Sequence, residues 1–384
     1  MQFPKDFIWG TATSAYQTEG NNTNTDWWEW EQNKKPGQNY PYESSGIACD
    51  SYNRYEEDFD LCKKLNNNAV RISIEWARIE PQMGFFDEKE IHHYKKVLQA
   101  AKDRNLQTFV TLHHFTNPLW FSKIGGWCNL KSPFYFSRYA KKCAKEFGNL
   151  IDVFLTINEP QVYTTMAYFR GMWPPCKKNP FKVLLVQVNL MRAHNRAFNT
   201  IKSVGPHMVG LVKNIMWFKG YKIPAKILYW LNCDFFLKPI KKHLDVIGVN
   251  YYFTNVIGRN GIENPQKPVS DMGWWINAEG LEHILLDLRR YKLPIYITEN
   301  GVADSNDTLR KDFLHGMLTA CARATYGGSH LRGYFYWSLI DNYEWHEGYW
   351  QKFGLIEIDR KHNLKRKPRK SALYYAKICK ENKI

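Results

Sequence analysis

Two glutamates follow runs of residues that ought to be buried. Glu159 comes directly after VFLTIN, and Glu299 directly after PIYIT. A carboxylate at the end of a buried apolar run is costly unless it is paired or used. Taken singly, each is best read as one half of an ordinary ion pair. Taken together they fit another chemistry. Two opposed carboxyls flanking a bound sugar are what cleavage of a glycosidic bond requires. One must be protonated, to supply the leaving oxygen with its proton. The other must be ionised, to meet the positive charge developing at the anomeric carbon. A nearby arginine, for which Arg71 in AVRISI is the candidate, would favour the charged form of one. Burial and a negative neighbour would raise the pKa of the other.

Bringing two such residues together requires a scaffold, and the chain is patterned for one. Short β-branched and aromatic runs stand at 7–15, 69–74, 107–112, 153–157, 208–212, 246–250, 294–298 and 333–339. Longer segments of helical periodicity lie near 54–66, 87–104, 133–149, 182–204, 222–243, 277–291, 308–326 and 369–382. Pro133 after Ser132 fits a helix start, and Asp87 fits a cap before EKEIHHYKKVLQAAK. Alternating buried strands and helices predict an α/β fold with a parallel sheet, and eight such units close into a single-domain (β/α)8 TIM barrel over residues 1–384. The rival is an open doubly wound sheet. It would offer a glycine-rich phosphate loop after the first strand, which GTATSAYQTEG does not match. The stretch 260–271 (NGIENPQKPVSD) reads as a loop.

A barrel gathers its reactive residues at the C-terminal ends of its strands. There the sequence places Gln17 and Glu19, His113 and His114, Asn158 and Glu159, Asn250, Tyr251 and Tyr252, then Glu299 and Asn300. After the last strand come Trp337, Asp341, Glu344 and Trp345. The fourth and seventh strands lie three places apart in an eight-membered ring, so Glu159 and Glu299 can face each other across its mouth.

Composition agrees without deciding. Aromatic residues make up 16% of the chain, more than core packing asks for, and flat rings with polar edges suit sugars. An aromatic-rich core would look the same. The formal charge of +16 invites a polyanion-binding reading. Part of that excess sits in a basic tail with Arg360, Lys361, Lys365, Arg366, Lys367, Arg369 and Lys370. No nucleic-acid recognition motif accompanies it, so a solvated basic surface and no specific nucleic-acid partner are expected. None of the eight cysteines forms a C-x-x-C pair. No signal peptide is visible, and no run approaches the ~18 apolar residues of a membrane span. A cytoplasmic protein with reduced thiols and no membrane partner is the expectation.

Longer motifs carry a resemblance. FIWGTATSAYQTEG, RISIEWARI, TLHHFTNP, TINEP, ITENG and GYFYWSLIDNYEWHEGYWQKFGL occur in the order in which family 1 glycoside hydrolases carry similar text. The resemblance runs nearly the whole chain. It implies a retaining, exo-acting β-glycosidase that removes a terminal non-reducing β-glucosyl or β-galactosyl residue. In TINEP it implies Glu159 as acid/base and Asn158 as a contact to the sugar 2-hydroxyl. In ITENG it implies Glu299 as nucleophile, with Arg71 and Tyr252 holding it. Gln17, His114, Glu344 and Trp345 would grip the sugar hydroxyls and Trp337 would lie under the ring. Trp274 would wall the leaving-group side, with Trp275 pointing elsewhere; His113 receives no role. Retention implies carboxyls about 5–5.5 Å apart, against about 6.5–9.5 Å for inversion. No metal or organic cofactor is implied.

The chain also departs from the family's usual text. It is short, with the deficit concentrated at 213–275, which predicts smaller loops and a more open leaving-group side. Phe115 stands where many relatives carry Trp. The positions that bind a 6-phosphate in some relatives here carry Glu344, Gln351 and Phe353, and Lys352 would have to turn inward to help. A small-molecule, non-phosphorylated β-glycoside or oligosaccharide is the expected substrate. A transglycosylase using the same site and a glycan-binding barrel without activity are the alternatives, and the oligomeric state is not indicated.

Overall fold

The computed structural model describes residues 1–33 and 43–384. Eight strands close into a parallel barrel: β1 Ile8–Ala12, β2 Ala69–Ser73, β3 Gln107–His113, β4 Val153–Asn158, β5 Met208–Asn214, β6 Val246–Asn250, β7 Ile295–Asn300 and β8 Leu331–Trp337. Each pairs with its neighbours in chain order, and β8 returns to β1 with Ile8 opposite Gly333 and Ala12 opposite Trp337. Every residue of β1, β2, β4 and β6 is buried. Strands covered on both faces read as continuous apolar runs rather than as alternation, which is how these runs read in the sequence.

Two apolar layers result. The lumen is filled by residues such as Phe109, Leu155, Val212 and Phe335, with Phe109 tilted against Phe335 at 4.7 Å and edge to face with Tyr296 at 5.0 Å between ring centroids. The larger layer lies between strands and helices. The lumen is tight enough to dictate Gly10, where a Cβ would stand 2.5 Å from the Phe335 ring. The floor is therefore packed solid and only the mouth is open.

The outer helices are α1 Ser51–Lys64, α2 Glu88–Asp103, α3 Ser132–Phe147, α4 Pro180–Val204, α5 Lys222–Asn232, α6 Ala278–Asp287, α7 Arg310–Tyr326 and α8 Lys370–Glu381. Asp87 caps α2 by accepting from the backbone N–H groups of Lys89 and Glu90. Pro133 sits in the first turn of α3, where its missing N–H costs nothing.

Three expectations need correction. The helix expected at 222–243 is broken. Cys233 stays right-handed but is distorted (φ −106°, ψ −70°), next to Asn232, whose side chain turns to the Met216 N–H and the Asn214 carbonyl. The chain resumes as a short helix, Asp234–Ile240, and a 3-10 turn. The stretch read as a loop from 260 begins as a strand: Gly261–Ile262 pairs with Thr254–Gly258, which pairs in turn with Trp217–Gly220. The buried residues of this glycine-bearing sheet are Thr254, Asn255 and Ile257, two of them polar, so it carries no alternation of apolar residues. The basic tail is not wholly solvated either. Arg366 is buried against Asp58 at 3.0 Å, and Arg369 pairs with Asp341 at 2.8 Å, so both arginines hold the C-terminal segment to the barrel. Among the described residues no disulfide forms and no helix is long and apolar enough to cross a membrane.

Candidate active site

The mouth of the barrel opens into a cavity of about 580 Å³. Ten of the eleven site residues expected from the sequence line it: Gln17, His114, Asn158, Glu159, Tyr252, Trp274, Glu299, Trp337, Glu344 and Trp345. The eleventh, Arg71, lies fully buried behind the wall.

Glu159 follows β4 directly, where the chain turns into the short helix Pro160–Thr164. Its backbone is left-handed (φ 43°, ψ 57°), a conformation that costs a residue with a Cβ about 1–2 kcal/mol. The turn is pinned from both sides. Glu159 N–H donates to the Val212 carbonyl at 2.9 Å, and Tyr163 N–H donates back to the Glu159 carbonyl at 3.1 Å. The side chain thereby clears the strand and projects into the cavity. Its Oε1 accepts from the amides of Asn250 at 2.8 Å and Asn214 at 3.2 Å. Burial, and secondly the charge of Glu299, push the Glu159 carboxyl up to about 7, against the pull of those two donors.

Glu299, near the end of β7, has different company. Its Oε1 meets the Arg71 guanidinium at 2.5 Å and its Oε2 accepts from the Tyr252 hydroxyl at 2.7 Å. Burial and the Glu299 charge raise the Tyr252 pKa, so the hydroxyl keeps its proton and remains a donor. Arg71 also donates to the Thr298 carbonyl at 3.1 Å, to Asn158 Oδ1 at 2.8 Å and to Thr111 Oγ1 at 3.3 Å. One guanidinium from β2 therefore grips β3, β4 and β7. Asn250 closes the circuit: its side-chain amide nitrogen reaches Asn158 Oδ1 at 3.3 Å as well as Glu159, and its Oδ1 accepts from Thr298 Oγ1 at 2.7 Å. The two glutamates share one network, one held by a cation and a phenol and the other by neutral amides.

To one side of this pair lie polar and aromatic groups. Gln17 donates to the Tyr343 carbonyl at 2.8 Å and to Glu344 at 3.3 Å. His114 meets the Asn158 amide at 3.2 Å, and burial together with Arg71 lowers its pKa, so the ring is neutral. The His114 ring lies nearly parallel to Trp337 and Trp345, at 6.1 and 5.9 Å between centroids. Enclosure in the wall, then Glu299 and Glu159, raise the pKa of Glu344. On the other side Trp274 stands 5.5 Å from Tyr252, edge to face. The same lining also carries Met166, Met172, Met216 and Met272.

Residues given no role, or doubted, sort cleanly. His113 points away and bonds Asn117 at 3.1 Å. Trp275 pairs with Val269 and does not line the cavity. Lys352 does not turn inward; its ammonium donates to the Tyr349 carbonyl at 2.6 Å. Sequence reading missed the contacts that Asn214 and Asn250 make to Glu159. The signal was present, since each is the last residue of its strand, but only the barrel's closure shows which side chains converge.

Residues 1–225 and 234–384 match the sequence pattern described as glycosyl hydrolase family 1. "Beta-glucosidase A" of Acetivibrio thermocellus is 30% identical over an alignment of 446 positions, covering 100% of this chain and 99% of that protein. "Beta-galactosidase" of Pyrococcus woesei is 28% identical, covering 93% of each. Among solved structures, the "beta-glycosidase from Pyrococcus horikoshii" superposes with a TM-score of 0.93 at 36% identity, over 100% of this chain and 96% of that one.

Proposed function

From the premise that this chain belongs to glycosyl hydrolase family 1, we propose the following reading of its reaction and residues. The protein is a retaining β-glycosidase acting on small β-glycosides. Glu299 is the nucleophile and Glu159 the acid/base. Glu299 attacks the anomeric carbon while the bond to the leaving oxygen breaks, and Glu159 transfers its proton to that oxygen. A covalent glycosyl-enzyme results. Water then gives a proton to Glu159 and attacks the same carbon, releasing Glu299 and a sugar of unchanged β configuration.

The observation that carries this reading is the unequal company of the two carboxyls in one cavity. Glu159 has a carboxyl pushed up to about 7, so it can hold a proton near neutrality. Glu299 is gripped by Arg71 and Tyr252, which orient it without occupying the cavity. The oxocarbenium character of the transition state is met by Glu299. Asn158, oriented by Arg71, lies beside it for the 2-hydroxyl.

Gln17, His114, Glu344 and Trp345 take the hydroxyls of the non-reducing sugar, with Trp337 beneath it. Trp274 walls the leaving group. Glucose is the favoured sugar and galactose the next, since the two differ at one hydroxyl that the same groups can hold. Residues 1–384 act as one domain. The eight cysteines, unbridged in the described structure, support a reducing, cytoplasmic setting.

The test is hydrolysis of 4-nitrophenyl β-glucoside followed by proton NMR. Release of nitrophenol with β-glucose as the first anomer supports the reading. A Glu299→Gln variant should release none. A folded wild type that turns over no β-glycoside, or one that yields the α-anomer first, overturns it.

A further inference from the structure

Helix α5 presents its apolar side to solvent. Ile223, Ile227, Trp230 and Leu231 recur at the i, i+4, i+7, i+8 spacing of one helical stripe, and they are 74%, 54%, 44% and 44% exposed. A surface helix normally buries such a stripe and shows charge outward. Here a different, narrower face holds the helix in place. Ala225 is buried, the Tyr229 hydroxyl donates to Asp287 at 2.5 Å, the Leu231 carbonyl accepts from Gln161 at 2.5 Å, and Asn232 takes the Met216 N–H at 2.8 Å. The outward stripe is therefore rigidly displayed. Its Ile227, Trp230 and Leu231 fall in the interruption of the family match at 226–233, so the family pattern does not supply them.

We propose that α5 docks this enzyme onto an anionic lipid surface, with the mouth of the cavity at that surface. Charge selects this occupant. Lys222 and Lys226 are the only charged residues in α5, both exposed, in a chain of formal charge +16. Two copies meeting face to face through α5 would bring these lysines together, whereas an anionic surface attracts them. Trp230 has the amphipathic ring that sits well at the level of lipid headgroups. A helix lying in the interface needs no spanning run, so the lack of one does not speak against docking.

The position of α5 ties docking to catalysis. Asn232, its last residue, lines the cavity and also holds the backbone beside Asn214, which bonds Glu159. Four methionines, Met166, Met172, Met216 and Met272, line the same cavity as Asn232 and the two glutamates. Unbranched thioethers adapt to apolar groups of varied shape. The substrate class follows: β-glycosides whose apolar aglycone is anchored in the lipid. This consequence rests on the glycosidase reading, while docking itself does not.

The experiment is co-sedimentation of the full chain with phosphatidylcholine vesicles, with and without about 30 mol% phosphatidylglycerol. The wild type should pellet with the anionic vesicles at low salt and much less with the neutral ones. Ile223→Asp with Ile227→Asp should lower the partition coefficient at least about tenfold. Lys222→Ala and Lys226→Ala should lower it roughly fivefold each. Both sets should keep wild-type turnover of 4-nitrophenyl β-glucoside in solution. Absence of wild-type binding, or equal binding by the double aspartate variant, overturns the proposal. So does a wild-type dimer that the aspartates dissociate without any vesicle binding. Vesicle binding without glycoside turnover supports docking and refutes the glycosidase reading alone.

Discussion

Replacing Glu299 by Gln removes a negative charge while keeping the shape of the side chain, and the proton on Glu159 should report the loss. Glu159 stands at about 7 for two reasons, burial first and Glu299 second. At the about 5–5.5 Å separation of a retaining pair, two unit charges repel by about 3 kcal/mol at an effective dielectric of 20, and by less than about 1 kcal/mol in water. An open cavity lies between these limits, so the midpoint should fall by about one to two pH units. It should not reach the free value of 4.5, because burial, the larger cause, persists in the variant. The assay is a carbon-13 titration of carboxyl-labelled glutamate, with the Glu159 resonance assigned by its loss in Glu159→Gln. Near-ultraviolet circular dichroism verifies that the variant is folded. A Glu159 midpoint that stays near 7 would refute the claim that the two carboxyls sense each other across one site.

Three further outcomes are expected. Glu159→Gln should stabilise the protein at pH 8 by about 1–3 kcal/mol, measured by urea unfolding. The folded pKa is raised, so the wild type loses stability as pH climbs from 4.5 through about 7, and the variant's advantage should vanish near pH 4.5. Tyr252→Phe deletes a 2.7 Å donor to Glu299 and should lower kcat by about ten- to a hundredfold with a smaller change in KM, read from steady-state kinetics. Lys213 is fully buried, with burial lowering its pKa to about 8 and one hydrogen bond, to the Asn214 carbonyl. Lys213→Met should add about 1–3 kcal/mol at pH 7, a gain that shrinks between pH 8 and 10.5 as the folded wild type sheds its proton and the unfolded chain does not.

What the sequence disclosed follows from what each signal depends on. Strands buried on both faces and helices with one apolar face leave local patterns, so all eight strands and the helices between them were legible. The residues that share the cavity were legible because a closed barrel brings strand ends together wherever they lie in the chain. The amides of Asn214 and Asn250 were not, since an Asn at a strand end is equally a turn residue until closure aims it at Glu159. Arg366 and Arg369 looked like a charged tail because their carboxylate partners, Asp58 and Asp341, are separated from them in sequence by 308 and 28 residues. The break at Cys233 depends on where Asn232 finds a backbone partner. The sheet of Trp217–Gly220 and Thr254–Gly258 buries mostly polar residues, Thr254 and Asn255 beside Ile257, so no apolar alternation announces it.

Arg71 makes the reacting end of the barrel a braced frame. Its guanidinium ties three other strands from behind the wall, and no loop takes part in those ties. Segments on the leaving-group side can therefore be cut back or exchanged without loosening the carboxyls. For an engineer, that divides the molecule into a part to leave alone and a part to redesign: grafting new rims between β5 and β7, with Asn232, Asn250 and Tyr252 kept, should change what is accepted long before it changes how bonds are broken.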